Sequence, residues 1–437
     1  MHHCLNIFVF SLKKIAYVAK MVNLKGKHGV QLMPESIIIY LLMFADDIAL
    51  ISDSVTSLQN QLNVLVEESG KLGLMVNSEK TKIVVFRNGG FLAEHEKWFL
   101  GGKKLDVVNE FKYLGAVFST RLSFKTMQMD LMTRARAGLL QVMRCQRKLG
   151  CVSPDVFFKI FDAQVGPVFL YSSELWGMKD CSLLESLHLQ ALKRFLHLPV
   201  QTPSIIAYGE TGRYPIAITA KIRVIKYWLR ILQMDSSRYP LKVYNMMLQS
   251  DKTNWAKDIE NMLCRYGFEK VWREQSVDNV PVFLSDLRES LITEFVRDWS
   301  SKLESSMRYG FYRRFKCSLR RELYLYHVDK QVFRDTLIRF RAGFSELYVH
   351  RYRFLKDCPS SFICPSCCEE EEDEEHLLIR CPAYDDIRYK YILNDDIRLD
   401  VSDLMLSESI ERLRATAMYI YYALKRRQMA IQTTVDL

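Results

Sequence analysis

The sequence predicts an α+β protein, with its strands in the first 120 residues and helices beyond them. The first observation is a β-branched and aromatic run, SIIIYLLMF, which is typical of a buried strand. The second is a change of pattern after residue 120, where apolar residues recur at helical spacing. The third is a group of five cysteines between Cys358 and Cys381. We therefore expect a metal-binding segment near the C terminus in addition to the α+β fold.

Residues 25–120 are predicted to combine several strands with one helix. The predicted strands are KHGVQL, SIIIYLLMF, KTKIVVFR and EFKYLGAVFS. The helix is DSVTSLQNQLNVLVEESGKLGLMV, in which Asp53 or Ser54 would cap the first turn. Beyond residue 120 the predicted helices include SPDVFFKIFDAQVGPVFLYSSELWG and LLESLHLQALKRFLHL. These patterns divide the chain into six segments, which are 1–24 (unplaced), 25–120 (α+β), 121–235 (helical), 236–357 (helical), 358–392 (cysteine-rich) and 393–437 (a C-terminal helix).

The charge balance suits a polyanionic partner. The chain has 61 lysines and arginines against 51 acids, which gives a formal net charge of +10. Such an excess favours nucleic acid over a membrane surface. No apolar run reaches the length of a membrane span, and the N terminus carries no convincing secretory signal. The scattered cysteines outside the cluster suggest reduced thiols. We therefore expect a nuclear or cytoplasmic protein that is neither secreted nor membrane-bound.

Two adjacent aspartates, Asp46 and Asp47, interrupt the most apolar stretch, IIIYLLMFADDIALIS. A carboxylate inside a buried strand would be costly, so we expect both at the tip of a tight turn between two strands. A plain hairpin is one interpretation. The other is a metal site, because neighbouring carboxylates repel each other and a hard cation such as Mg²⁺ relieves that repulsion.

The segment CPSCCEEEEDEEHLLIRC has the spacing of a zinc site. Cys364 and Cys367 form a C-x₂-C pair, His376 follows after eight residues and Cys381 after four more. Zn²⁺ takes four such ligands in a tetrahedron. The alternative is a group of reduced surface thiols. A zinc ion here could serve nucleic-acid binding or only staple the C-terminal region.

Two further details of this segment stay open from sequence alone. Cys368 is adjacent to Cys367 and could replace it, although the spacing favours Cys367, and Cys358 is a more distant candidate. The acidic run Glu369–Glu375 is expected to repel phosphates. Nucleic-acid contacts of this module would then have to use flanking basic residues.

Two basic stretches are candidates for nucleic-acid contact. The predicted helix TMQMDLMTRARAGLLQVMRCQRKLG and the stretch FYRRFKCSLRRELYLYH both carry clustered arginines, and the second interleaves them with aromatic residues. Arginine and aromatic side chains together suit stacking on bases and contact with phosphates. The alternative is an amphipathic helix that buries its aromatics and solvates its charges. The candidate residues are Arg134, Arg136, Arg144, Arg147, Arg313, Arg314, Lys316, Arg320 and Arg321.

Several of these motifs resemble, in order, those of one enzyme family. FADDIALIS resembles the aspartate-pair motif of reverse transcriptases of the non-LTR (LINE-type) retrotransposons. GLMVNSEKTKIVVF resembles the next palm motif, FKYLGAVFS resembles the strand motif at the primer end, and IFDAQVGPVFLYSSELW resembles the thumb. The cysteine segment is similar to the C-terminal Cys-Cys-His-Cys knuckle of these polymerases. The resemblance covers roughly residues 25–430 and suggests the C-terminal part of such a reverse transcriptase.

The resemblance implies a role for several residues. Residues 25–120 would be a partial palm and residues 121–235 a thumb-like domain. Asp46 and Asp47 would be metal-binding carboxylates for two-metal nucleotidyl transfer, and Lys80 or Lys82 would lie near the incoming nucleotide. The residues that would support the primer terminus are Tyr113, Leu114 and Gly115.

The resemblance also predicts that this chain is inactive. The family requires a further palm aspartate and fingers residues upstream of the aspartate pair, and here only 45 residues precede Asp46, with no acid in residues 1–34. We therefore expect Mg²⁺ not to be bound productively. Zinc binding is expected to be retained. The expected partner is nucleic acid, as an RNA template, a DNA target or a primer. The alternative is a zinc-containing RNA- or DNA-binding protein without catalysis, and the oligomeric state cannot be read from the sequence.

Overall fold

The computed structural model describes residues 20–21, 29–31, 38–351, 362–392 and 400–435. The chain folds as two compact units, of which the first comprises residues 1–130 and 227–276 and the second residues 131–226 and 277–437. The predicted α+β class is confirmed, because the described strands fall between residues 30 and 119 and helices dominate beyond them. The predicted segment 1–24 lies outside the described residues except for residues 20–21.

In the described part of the first unit, the strands form five two-stranded sheets. Four of the pairs are antiparallel (β1–β2, β3–β4, β6–β7 and β9–β10), and the pair β5–β8 is parallel. The strands are β1 Val30–Gln31, β2 Ile38–Ile39, β3 Leu41–Phe44, β4 Asp47–Leu50, β5 Lys82–Ile83, β6 Phe99–Leu100, β7 Lys103–Lys104, β8 Asp106–Val107, β9 Glu110–Tyr113 and β10 Ala116–Ser119.

Three strand predictions were wrong in extent. Of KTKIVVFR, only Lys82–Ile83 (β5) forms a strand. SIIIYLLMF divides at Tyr40, because β2 pairs with β1 whereas β3 pairs with β4. EFKYLGAVFS is a hairpin rather than one strand. Leu114 and Gly115 adopt φ values of 47° and 81°, so the chain reverses there and β9 pairs with β10. The glycine permits this backbone conformation without steric cost, but a leucine rarely adopts it.

The first helix, α1 Val55–Lys71, forms as predicted and packs on the small sheets. Its cap is Ser54, whose hydroxyl accepts a hydrogen bond from the N–H of Ser57. The buried core around it consists of Leu62, Ile83, Trp98, Leu100 and Leu105. The Trp98 indole N–H donates to the carbonyl of Val55 over 3.2 Å. The helix thereby anchors the strands that follow it.

The remaining helices account for most of the described chain. Their bounds are α2 Phe124–Leu149, α3 Pro154–Gln164, α4 Gly166–Phe169, α5 Ser173–Trp176, α6 Ser182–Phe195, α7 Ser204–Thr211, α8 Ile216–Leu232, α9 Tyr239–Leu248, α10 Trp255–Arg265, α11 Glu269–Glu274, α12 Val280–Ser305, α13 Tyr324–His327, α14 Gln331–Arg341, α15 Tyr348–Arg351, α16 Asp385–Tyr391, α17 Val401–Met405 and α18 Ile410–Val435.

Two helix predictions were also wrong in extent. Residues 153–177 form three short helices, α3 to α5, rather than one, because Pro167 supplies no N–H and Ser172 adopts a φ of 52°. Residues 311–327 are largely irregular and reach helical geometry only in short turns and in α13. The reason lies in the buried polar centre of the second unit.

That buried centre surrounds Glu210 on α7. Arg341 donates to its carboxylate from Nε and Nη2 over 3.1 and 3.0 Å, and the hydroxyls of Tyr312 and Tyr324 donate over 2.8 and 2.6 Å. Burial opposes ionisation of Glu210, but the charges of Arg341 and Lys316 outweigh it and lower its pKa. The hydroxyls of these two tyrosines therefore point inward, and residues 311–327 form short helical turns around this centre rather than one continuous helix.

Within the described ranges, no helix is both long and apolar enough to span a lipid bilayer.

Candidate metal centres

The two aspartates lie on a tight hairpin, as the sequence predicts. Strands β3 and β4 pair with Phe44 opposite Asp47, so Ala45 and Asp46 form the two-residue connection. Ala45 adopts a φ of 53°, a strained conformation for a residue with a Cβ atom. Asp46 and Asp47 are both exposed. We call residues 41–50 the aspartate hairpin.

The aspartate hairpin brings together few of the other residues predicted for a polymerase site. Burial raises the pKa of Tyr113, and the charge of Asp47 raises it further, so these two groups are electrostatic neighbours. Lys82 forms an ion pair with Asp106 over 2.6 Å, and Lys80 is exposed. Leu114 and Gly115 form the turn between β9 and β10.

The cysteine segment brings all four predicted ligands together. The ligand atoms of Cys364, Cys367, His376 and Cys381 lie within 4.8 Å of one another, and the side chains of Cys364, His376 and Cys381 are fully buried. Cys364 and Cys367 come from one turn. His376 begins a single π-helical turn, His376–Arg380, and Cys381 directly follows it. We call this cluster the Cys₃His site and residues 362–392 its module.

The spacing of these ligand atoms fits a tetrahedral zinc ion. The Sγ atoms of Cys364 and Cys381 are 3.9 Å apart, and Sγ of Cys367 is 3.4 Å from Nε2 of His376. Bond lengths of about 2.3 Å to sulfur and 2.0 Å to nitrogen give tetrahedral edges of about 3.5 to 3.8 Å. The hydrogen bond between the two thiols lowers the pKa of Cys364 and raises the pKa of Cys381.

Comparison with known proteins finds similarity to reverse transcriptases and to transposon-derived proteins. Residues 18–118 match the family model described as reverse transcriptase (RNA-dependent DNA polymerase). The chain is 23% identical over 383 residues to the retrovirus-related Pol polyprotein of a type-1 retrotransposable element R1 of Nasonia vitripennis, an alignment that covers 83% of this chain and 86% of that protein. The chain is a relative of the non-LTR retrotransposon reverse transcriptases. It is also 29% identical over 140 residues to a transposon-derived protein of Caenorhabditis elegans, across 31% of this chain and about half (48%) of that relative.

Within this reverse transcriptase relative, the two candidate centres differ in how complete they are. Among the described residues, the Cys₃His site is the one set of three or more histidine, cysteine or acidic groups placed to share a metal ion. Asp46 and Asp47 are joined there by no third such group. The residues present therefore fit zinc at the Cys₃His site, whereas within the described part of the chain the aspartate hairpin offers a pair of carboxylates and no larger set of ligands.

Cys368 does not belong to the Cys₃His site of this reverse transcriptase relative. It is exposed and has a φ of 57°, and its Sγ lies 4.0 Å from the carbonyl oxygen of Pro365. Its backbone N–H donates to the carbonyl of Cys364, which closes the turn that presents Cys367. Cys358, the more distant candidate, lies outside the described residues.

The acidic run supplies groups that hold His376 in position, a role that the sequence analysis missed. Glu370 Oε2 accepts a hydrogen bond from Nδ1 of His376 over 3.2 Å, which leaves Nε2 to face Cys367. Asp373 accepts the backbone N–H of His376. Arg380 pairs with Glu370 and Asp373 over 3.2 and 3.3 Å. Two acids of the run, Glu370 and Asp373, thus orient the histidine.

Two other acids of the run point into the protein. Glu372 is buried and forms an ion pair with Arg427 of α18, and it also accepts the backbone N–H of Tyr348 over 2.7 Å. Glu374 is buried and accepts a hydrogen bond from Nε2 of His350 over 2.8 Å. The run is therefore not solvated as a whole, because Glu372 and Glu374 are buried, and the expectation that the run repels phosphates stays a prediction for its exposed acids.

The predicted basic residues of this reverse transcriptase relative are placed unequally. On α2, Arg136, Arg144 and Arg147 are exposed, on the side opposite the buried Leu131, Ala135, Leu139 and Val142. Arg134 is half-buried, and its guanidinium lies 6.0 Å from the ring centre of Tyr171.

In the second basic stretch, residues 311–327, Arg313 and Arg320 are exposed. Arg314 pairs with Glu375 over 2.6 Å, and Arg321 pairs with Asp155. Lys316 is 1% exposed, and its ammonium donates to Glu322 and to the carbonyl of Arg320. Lys316 is therefore removed from the candidate nucleic-acid contacts.

Proposed function

We propose that this chain is a zinc-containing, nucleic-acid-binding portion of a retrotransposon reverse transcriptase, and that it does not catalyse nucleotide addition by itself. The observation that carries the proposal is the buried Cys₃His site, whose four ligand atoms lie within 4.8 Å of one another. Four converging ligands with an oriented histidine are typical of a structural zinc site. The aspartate hairpin offers no comparable centre.

In this proposal Cys364, Cys367, His376 and Cys381 hold the zinc ion, which cross-links two turns of the module. The protein's own part is to present three sulfurs and Nε2 of His376 at tetrahedral spacing. Glu370 fixes the histidine ring through Nδ1, so that Nε2 remains free of a proton. Metal binding then contributes directly to the folding free energy of residues 362–392.

The nucleic acid would be held by exposed arginines of the second unit. Arg136, Arg144 and Arg147 repeat along one face of α2, and their spacing suits successive contacts with a phosphate backbone. The net charge of +10 supports the same partner. Neutralised phosphates release counterions, so the affinity should fall steeply as the salt concentration rises.

We propose that catalysis is absent because of the geometry of the aspartate hairpin. Two-metal phosphoryl transfer requires ions about 4 Å apart that hold the attacking and leaving oxygens in line. Carboxylates on adjacent residues of one turn supply too few ligands to fix both ions. Positioning and charge stabilisation account for nearly all of this catalysis. A site that lacks some of its metal ligands is therefore expected to have no activity rather than reduced activity.

Zinc content and nucleic-acid affinity should be measured together on the purified chain. We expect one zinc per chain and binding of a labelled oligonucleotide that weakens with salt. A double variant, Cys364→Ser with Cys367→Ser, should lose the zinc and bind more weakly, whereas the matched control Cys368→Ser should keep both properties. A wild-type chain that contains no zinc, or that binds no oligonucleotide at low salt, would overturn the proposal.

A primer-extension assay tests the absence of catalysis. The purified chain is given a primed RNA template, nucleoside triphosphates and Mg²⁺, and we expect no extended product. Synthesis that disappears in a variant carrying Asp46→Asn and Asp47→Asn would show that the hairpin supports chemistry and would refute this part of the proposal. Synthesis that persists in that variant would point to a contaminating polymerase, and the absence of catalysis would stand.

A further inference from the structure

An aromatic cluster on the surface of the second unit is not used by any role described so far. The rings of Tyr391 on α16 and Tyr422 on α18 are nearly parallel, with 5° between their planes and 5.4 Å between their centres. Phe333 of α14 is buried beside Tyr422, with 6.2 Å between the two ring centres. Tyr422 keeps 37% of its surface accessible. Two parallel, offset rings form a stack that a further flat ring can extend.

Lysines surround this surface. The ammonium of Lys390 lies 5.2 Å from the ring centre of Tyr391, and that of Lys330 lies 5.6 Å from the ring centre of Phe333. Lys425 follows Tyr422 by three residues on α18, which is the spacing of neighbours on one helix face. All three lysines are exposed, and none of them forms an ion pair with another described residue. The surface therefore combines flat rings with available positive charge.

We propose that Tyr391 and Tyr422 form a stacking platform for unpaired bases of a single-stranded nucleic acid, with Lys330, Lys390 and Lys425 contacting its phosphates. This inference rests on the proposed function and adds to it a second, base-contacting surface. A base has a flat π-face that can extend the parallel stack of the two tyrosines, and stacking of this kind tolerates any sequence. The lysines provide the sequence-independent attraction to the backbone.

A single strand fits this surface better than a duplex does. In a duplex the base faces are covered by their neighbours, and only the backbone and the groove edges are accessible. An exposed ring can stack only on a base that has left a helix. If the lysines alone acted, single strands and duplexes of equal length would be retained according to their charge. The platform therefore predicts a preference for single strands that depends on the tyrosine rings.

The test uses the full chain and fluorescence anisotropy with labelled single-stranded RNA, single-stranded DNA and blunt DNA duplex of equal length. We expect Tyr422→Ala to weaken single-strand binding roughly 5- to 100-fold and to leave duplex binding nearly unchanged. Tyr422→Phe, which keeps the ring, should retain the wild-type affinity. Lys390→Gln should reduce the slope of log K against log salt concentration by about 1, the change expected for the loss of one phosphate contact.

The matched control is Tyr389→Ala. Tyr389 is 62% exposed on the same helix, but it lies two residues from Tyr391 and so on the opposite side of α16. It should bind as the wild type does, and zinc content should be unchanged in every variant. Equal single-strand affinity for Tyr422→Ala and Tyr422→Phe would overturn the inference, as would tighter binding of the duplex. A wild-type chain that binds none of the three probes would instead refute the proposed function.

Discussion

The aspartate hairpin and the Cys₃His site both bring candidate metal ligands together, but only at the Cys₃His site do neighbouring side chains hold a ligand in position. Asp46 and Asp47 are neighbours in sequence and both exposed. Asp46 follows the strained Ala45 in the two-residue turn, and Asp47 begins β4. The four ligands of the Cys₃His site come from two turns, and the histidine is held by hydrogen bonds that it donates to Glu370 and Asp373. Ligand identity alone does not distinguish the two regions. The difference lies in the groups that orient the ligands, which decide whether a cluster can organise a metal ion.

The largest effect is expected from removing the buried ion pair between Glu372 and Arg427, which connects the Cys₃His module to α18. Glu372→Gln would leave Arg427 buried without its counter-charge, and we expect a loss of about 3–5 kcal/mol in the free energy of unfolding. Urea unfolding of the zinc-loaded chain measures it. The control is Glu371→Gln, at the exposed neighbouring position, which should change stability by at most about 0.5 kcal/mol. Equal effects of the two variants would mean that the burial of Glu372 has no energetic consequence.

A smaller effect is expected from the group that orients the histidine. Glu370→Ala removes the acceptor for Nδ1 of His376, so the ring loses its fixed orientation, and the zinc affinity should fall about 10- to 100-fold. Competition with a chelating dye measures the affinity. Glu369→Ala, at an exposed acid of the same run, serves as the control for the change in net charge. If both variants lose affinity equally, the acidic run acts by charge alone and not by orienting the ligand.

The smallest effect is expected at the aspartate hairpin. Asp46→Asn and Asp47→Asn remove exposed charges, so the free energy of unfolding should change by no more than about 0.5 kcal/mol. The direction should be stabilising, because adjacent carboxylates repel each other. Thermal unfolding with and without Mg²⁺ measures both points. A destabilisation, or a Mg²⁺-dependent rise in melting temperature that these substitutions abolish, would show that the hairpin is better supported than its exposure indicates.

The parts that sequence could predict are those set by local spacing. The C-x₂-C pair and the following histidine and cysteine are separated by short intervals, so their convergence follows from the turns between them. The hairpin at Asp46 and the cap of α1 at Ser54 are likewise local features. EFKYLGAVFS was misread because Leu114 gives no sign of the turn conformation that it adopts.

The parts that sequence could not predict are those that depend on distant partners. The acidic run reads as a solvated, repulsive loop, since nothing in its neighbourhood identifies which carboxylates point inward. Glu374 forms a hydrogen bond with His350, at a sequence separation of 24 residues. Glu372 pairs with Arg427, at a separation of 55 residues. Arg341 similarly reaches Glu210 across 131 residues, where the hydroxyls of Tyr312 and Tyr324 also donate to that carboxylate. A run of charged residues in the sequence therefore does not by itself show which of its side chains are exposed.

The Glu372–Arg427 pair also has a consequence for the gene that encodes this chain. The codons for the four ligands end at position 381, but the cation that balances Glu372 is encoded downstream of all of them, at position 427. A stop codon or frameshift between positions 381 and 427 would leave all four ligands intact. It would nevertheless leave the buried carboxylate of Glu372 without its counter-charge. Damage to the final helix is therefore expected to impair a metal site whose own coding sequence is unaltered.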